Sequence, residues 1–216
     1  MAKGKAKKPG RAGEPAKTRK PGKSGKAGKA VLAADEAAAE AALPYRGSPA
    51  MEALGRFASL GDQPPLRTLC AAVIAAGLAG GDRRLARTGV RMLVAHTLAT
   101  LAKDFVKERV DRTRPRSKNE KGKDHVPRPG SDSSKEESSF PSGHSAGAAA
   151  VAWAFARDYP GFAAPAYAVG SALALAQIPR CAHYPTDVGA GLAVGIAAEA
   201  VVDIGLRLVE ERPSPA

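Results

Sequence analysis

Cysteine is nearly absent from this chain. Cys70 and Cys181 are the only two in 216 residues, too few for a disulfide framework. Both sit among apolar neighbours, where a thiol is by default a small buried hydrophobe. Aromatic residues make up only 5% of the chain, and none stands in the first 30 positions. Those 30 residues also hold no aliphatic side chain larger than alanine after Met1. That excludes the apolar core of a secretory signal, and it excludes the stacking platforms a nucleic-acid binder uses. Long apolar runs are missing too, since no stretch reaches the roughly 20 residues that cross a bilayer as a helix.

What the N-terminal segment does have is charge. Residues 1–30 carry eleven Lys and Arg against one Glu, and the rest of the chain is close to neutral, so most of the net charge of +12 belongs to this segment. Lys, Gly, Pro and Ala cannot bury enough apolar surface to offset ordering entropy, which predicts disorder. Residues 31–43 have helical propensity but little to bury. The expected organisation is therefore a disordered tail over 1–43 and a helical domain over 44–212. The tail suits anionic lipid headgroups or a plain solvated role better than nucleic acid, and no nucleic-acid partner is expected.

In the body, Met51, Leu54, Phe57 and Leu60 recur every three residues, the mark of a short amphipathic helix. Five apolar stretches follow: 66–81, 88–102, 143–156, 162–178 and 188–202. They are rich in Ala, Gly, Leu and Val and show no strand-like alternation. The class is all-α, a bundle of about five apolar helices, and helices apolar all round are buried in a large core or in lipid. Small residues suit close helix packing in a membrane. Between the second and third stretches, residues 103–139 are polar, aperiodic and rich in turn formers, so an exposed loop is expected there.

Chemistry gathers at the polar ends of these stretches. Lys107 and Arg114 lie seven apart, two turns along one helical face, so two cations can meet one anion. Pro141, Ser142, Gly143 and His144 begin a helix, where Ser142 can cap and free N–H groups make an anion site. Arg180, His183 and Asp187 follow, the last two spaced so that a carboxylate can hold one ring nitrogen. Cations, a helix N-terminus and two histidines suit a phosphoryl group.

These residues resemble the type 2 phosphatidic acid phosphatases, a superfamily shared with bacterial acid phosphatases and vanadium haloperoxidases. Its pattern is Lys-x6-Arg-Pro, then Pro-Ser-Gly-His, then Ser-Arg-x5-His-x3-Asp. The first is complete from Lys107 to Pro115 and the second from Pro141 to His144, while the third keeps His183 and Asp187. Where the family has Ser-Arg, this chain has Ala176 and Gln177, and an arginine stands three residues on at Arg180.

The resemblance implies a multi-pass protein of a bacterial inner or plasma membrane that hydrolyses a lipid phosphate, phosphatidate-like or polyprenyl. It implies a covalent mechanism without metal or other cofactor. In it His183 attacks phosphorus, Asp187 orients it, and His144 protonates the leaving oxygen and then activates water. Lys107, Arg114, Arg180, the Ser142 hydroxyl and the amides of Gly143 and His144 would hold the phosphate. His96 reads as structural, and His125 has no assigned role. Two other readings stand beside this one: a catalytically weak or dead membrane protein that binds lipid phosphates, favoured by Gln177, and a vanadium haloperoxidase-like enzyme. Counting the stretches as crossings puts the tail and all three motifs on one side, and the excess of Lys and Arg makes that side cytoplasmic.

Overall fold

The computed structural model describes residues 25–117, 126–132, 134 and 136–211. Most of the expected tail, residues 1–24, and His125 lie outside the described residues. The helices are α1 (Lys26–Ala42), α2 (Pro49–Ala58), α3 (Gln63–Ala79), α4 (Arg83–Lys107), α5 (Gly143–Asp158), α6 (Ala163–Leu175) and α7 (Pro185–Glu210). The five apolar stretches are α3 to α7, and the amphipathic segment is α2, closed by a 3-10 turn over Ser59–Gly61.

Helix α5 is the centre. It packs on α4, α6 and α7, and α3 packs on α4. Its alanines permit this, because Ala146, Ala149, Ala150 and Ala154 are all fully buried against residues such as Met92, Ala95 and Ala198. Backbones come close where α7 crosses α5. A Cβ on Gly191 would stand 2.4 Å from the Ser142 carbonyl oxygen, and one on Gly195 would stand 2.3 Å from that of Ala146. Only glycine fits at either crossing.

Helix ends are capped where the sequence changes from polar to apolar. The side chains of Ser48, Asp82 and Ser142 each accept from the backbone N–H three residues on. Helices α3, α5 and α7 begin at one end of the bundle, and α4 and α6 finish there.

Two expectations are corrected. The tail does not stay irregular to residue 43, because residues 26–42 form α1. Its anchor is not an apolar face but Asp35, 1% exposed, whose carboxylate accepts from Arg112 and from the Thr186 backbone. The polar segment 103–139 is also not simply a loop. Helix α4 continues to Lys107, and β1 (Val110–Asp111) pairs antiparallel with β2 (Arg128–Pro129). The Arg112 N–H donates to Glu137 at 2.7 Å, and the Arg114 N–H donates to Glu136 at 2.9 Å. These bonds close the segment so that its two ends meet. Among the described residues, no helix is long and apolar enough to cross a membrane.

Candidate active site

Three backbone links assemble the site. The zipped segment brings Arg114 beside Ser138, the Ser142 N–H donates to the Asp187 carbonyl at 3.0 Å, and the Arg116 N–H donates to the Cys181 carbonyl at 3.1 Å. The three motifs thereby converge on a cleft of about 150 Å³, whose walls include Lys103, Lys107, Arg114, Gly143, His144 and His183. Gly143 is the first residue of α5, so the positive end of that helix faces the cleft as well.

His183 is 2% exposed. Its Nδ1 lies 2.8 Å from the Ser139 carbonyl, which can only accept, so Nδ1 carries the proton. Nε2 is then the lone-pair nitrogen, and an Arg114 N–H lies 3.3 Å from it. Burial pushes the imidazole down to about 4, against the opposing pull of Asp187 and with help from Arg114. A base with a lowered pKa is neutral at every pH above that value, so Nε2 keeps its lone pair through the neutral range. A 15N NMR titration of His183 is expected to find it uncharged at pH 6, and a midpoint at or above the ordinary 6.5 would contradict this geometry.

Asp187 stands 3.7 Å from Nδ1 through Oδ2 and acts on His183 by charge, leaving the hydrogen bond to the Ser139 carbonyl. Its own oxygens are fully engaged. Oδ2 accepts from the Ser139 hydroxyl at 2.5 Å and the Tyr184 N–H at 2.9 Å, and Oδ1 accepts from Arg112 at 2.5 Å. Burial alone would raise this carboxyl, but His183, Arg112 and Ser139 hold it at about 2. Arg112 in turn bridges Asp187 to Asp35 at 2.6 Å and lies 4.2 Å over the Tyr184 ring.

The cations are close enough to modify one another. Burial first, then the charges of Arg114 and Lys103, lower Lys107 to about 8, and burial lowers Arg114 to about 10. Lys107 donates to the Ser138 carbonyl at 2.6 Å, and Lys103 pairs with Asp104. A tri-cationic cleft of this kind gains most from a multiply charged anion.

Two site residues escape sequence reasoning. Lys103 sits one turn before Lys107 on the same face of α4, and that four-residue spacing is a usable signal. Asp62 is the other. It precedes α3, and its Oδ1 lies 2.7 Å from His144 Nε2, so each histidine has an acidic neighbour. No local spacing announces a partner so distant in the chain.

Two expected contacts are placed differently. Ser142 is fully buried, with its hydroxyl taking bonds from the Ser145 N–H at 3.4 Å and Oγ at 2.8 Å. It stands behind the cleft wall and caps α5. Arg180 is also off the wall, donating to Gln177 Oε1 at 3.2 Å beside Gly55 of α2. Gln177 is fully buried, and its amide donates to the Leu173 carbonyl at 3.3 Å. His96 is buried between α4 and α5 against Gly147, away from the cleft.

This constellation on this bundle defines a class. Residues 88–204, more than half of the chain, match the family model described as the PAP2 superfamily, and the chain belongs to that superfamily. The fold is similar to the solved structure described as the first transmembrane PAP2 type phosphatidylglycerolphosphate phosphatase from Bacillus subtilis. The TM-score is 0.62 at 23% identity, covering 85% of this chain and 90% of that one. A comparison with curated protein sequences finds no match.

Proposed function

We propose that this protein is a membrane-embedded phosphatase that hydrolyses a lipid phosphate through a phosphohistidine on His183, without a metal. The observation that carries the reading is the cleft itself: a neutral Nε2 nucleophile faces three cations and a helix N-terminus. A phosphate bound there draws Arg114 from Nε2 onto its oxygens. His183 Nε2 then attacks phosphorus, the bond to the leaving oxygen breaks, and His144 gives that oxygen a proton. Water next attacks the phosphohistidine while His144 takes its proton, releasing inorganic phosphate and restoring both histidines.

The bundle surface supports the membrane. In segments 68–81, 88–103, 161–179 and 189–206 no exposed residue carries a charge. At 1.5 Å per helical residue this belt is roughly 25 Å tall, against about 30 Å of bilayer hydrocarbon. Arg91, Glu199 and Asp203 lower the mean hydropathy of α4 and α7, yet all three are buried and paired with one another inside the bundle. The helix directions put the cleft at the end where α1 also docks, in keeping with a cytoplasmic side for both.

A lipid tail has somewhere to go. An almost wholly apolar groove of about 380 Å³ runs along Leu66, Val73, Met92, Val151, Phe155 and Leu173. Gly61 joins it to the cleft, because a Cβ there would lie 3.5 Å from the His144 ring and 3.7 Å from Leu173.

The test is phosphate release by the purified chain from phosphatidate, phosphatidylglycerolphosphate and a polyprenyl phosphate, against a soluble phosphomonoester. Release is expected to be fastest with a lipid, unchanged in EDTA and blocked by vanadate. Loss in EDTA restored by a divalent ion would overturn the metal-free mechanism. One observation favours a second reading, a weak or inactive binder of lipid phosphates: neither Gln177 nor Arg180 lines the cleft. Turnover of any phosphomonoester disposes of it.

A further inference from the structure

The opposite end of the bundle holds a second basic pocket, of about 400 Å³, walled by Arg83, Arg84, Arg87, Arg157 and Asp158. Its one carboxylate is turned to other work. Asp158 Oδ1 accepts from Arg91 at 2.7 Å and Oδ2 from the Thr88 hydroxyl at 2.9 Å. Arg91 is 5% exposed and is also held by Asp203 and by Glu199. The pocket therefore rests on a buried ion network, and that network consumes the negative charge of the wall.

The arginines keep more donors than they use. Arg84 donates to the Asp158 carbonyl and lies 4.5 Å over the Tyr159 ring, which fixes its plane. Arg87 has one exposed pairing, with Glu210, of the kind worth little in water. Arg157 spends two N–H groups on Glu199, at 3.3 and 2.8 Å. Arg83, the first residue of α4, makes no hydrogen bond or ion pair among the described residues, and it adds its charge at the positive end of that helix. Four planar forks around one concavity match the oxygens of a phosphate.

We infer that this pocket is a second anion site, distinct from the cleft, that takes the phosphate of an anionic phospholipid headgroup. The inference rests on the membrane reading proposed above. Helix α4 runs 25 residues from Arg83 to Lys107, roughly 37 Å at 1.5 Å per residue, which separates the two sites by about a bilayer. The pocket also borders the uncharged belt, at headgroup level. A phosphodiester there neutralises charge that would otherwise be desolvated at the interface, and it ties α4 to α5.

The test is thermal melting of the full chain in neutral detergent with added phosphatidylglycerol, phosphatidylcholine or inorganic phosphate. Phosphatidylglycerol is expected to raise Tm by several degrees, and the others to do little. The rise should survive in Lys107→Gln/Arg114→Gln, which disables the cleft. It should vanish in Arg83→Gln/Arg87→Gln and shrink in Arg83→Gln alone, with phosphate release unchanged in both. An equal rise with phosphatidylcholine, or one kept by the Arg83/Arg87 variant, overturns the site. A rise with inorganic phosphate through the same arginines overturns the lipid assignment. A chain that washes off vesicles in alkaline carbonate overturns the membrane reading instead, so the two failures are told apart.

Discussion

His183→Ala is expected to lose phosphate release by at least about 10⁴-fold, on the scale seen when an enzyme nucleophile is removed, while keeping its helical fold. The size follows from what is left. Lys103, Lys107, Arg114 and the start of α5 would still bind the phosphate, but no lone pair would face phosphorus. His144→Ala is expected to behave differently. It keeps the nucleophile, loses the proton donor for the leaving oxygen, and loses the base that activates water. Rapid acid or alkaline quench with 32P-labelled substrate separates the two. Wild type should show an acid-labile, base-stable phosphoenzyme, His183→Ala none, and His144→Ala a slow rise to a persistent level. Wild-type turnover in His183→Ala would sink the mechanism.

The second large effect concerns stability. Arg112 is 1% exposed and joins Asp35 and Asp187, which are themselves 1% and 0% exposed. Removing one member of such a set leaves charges buried without compensation, a loss of about 3–5 kcal/mol. Arg112→Ala is therefore expected to melt lower, by about 2–4 °C for each kcal/mol in a chain of this size. Arg112→Lys should recover only part, because an ammonium cannot span two carboxylates as a planar fork does. Asp35→Asn removes only the outer charge and keeps acceptor oxygen for Thr186, so its loss should be the smallest of the three. The order is read by thermal melting, and an Arg112→Ala variant as stable as Asp35→Asn would show that the bridge contributes nothing.

What was legible in the chain was whatever repeats over short distances. Ser142 with His144 and His183 with Asp187 are each set by one helix start, and the apolar stretches announce α3 to α7, but Lys107 and Arg114 do not share the helical face their spacing suggests, because α4 ends at Lys107 and β1 intervenes. What stayed hidden depends on pairs far apart in sequence. Asp62 meets His144, and Asp35 meets both Arg112 and Thr186. For the same reason the docking of α1 was illegible, although residues 31–43 show helical propensity. It is held by one buried carboxylate and not by an apolar stripe, so composition makes it look like tail. The burial of Arg91, Glu199 and Asp203 was hidden in a related way, since the mean hydropathy of α4 and α7 counts them whichever way they face. Arg180 shows the limit of spacing arguments: it stands three residues past the family position, beyond the end of α6, and its guanidinium donates to Gln177 and does not line the cleft.

The two glycines where α7 crosses α5 bear on the spacing of the two site histidines. His144 rides on one of these helices and His183 lies just ahead of the other, and at Gly191 and Gly195 the two main chains touch with no side chain between them. The gap between the two histidines is thus gauged by peptide against peptide, like parts machined to a metal stop and not seated on a gasket. Substitutions in the surrounding alanine packing are expected to loosen the bundle and to leave that gap unchanged. Sequence drift there should accordingly appear in melting temperature well before it appears in rate.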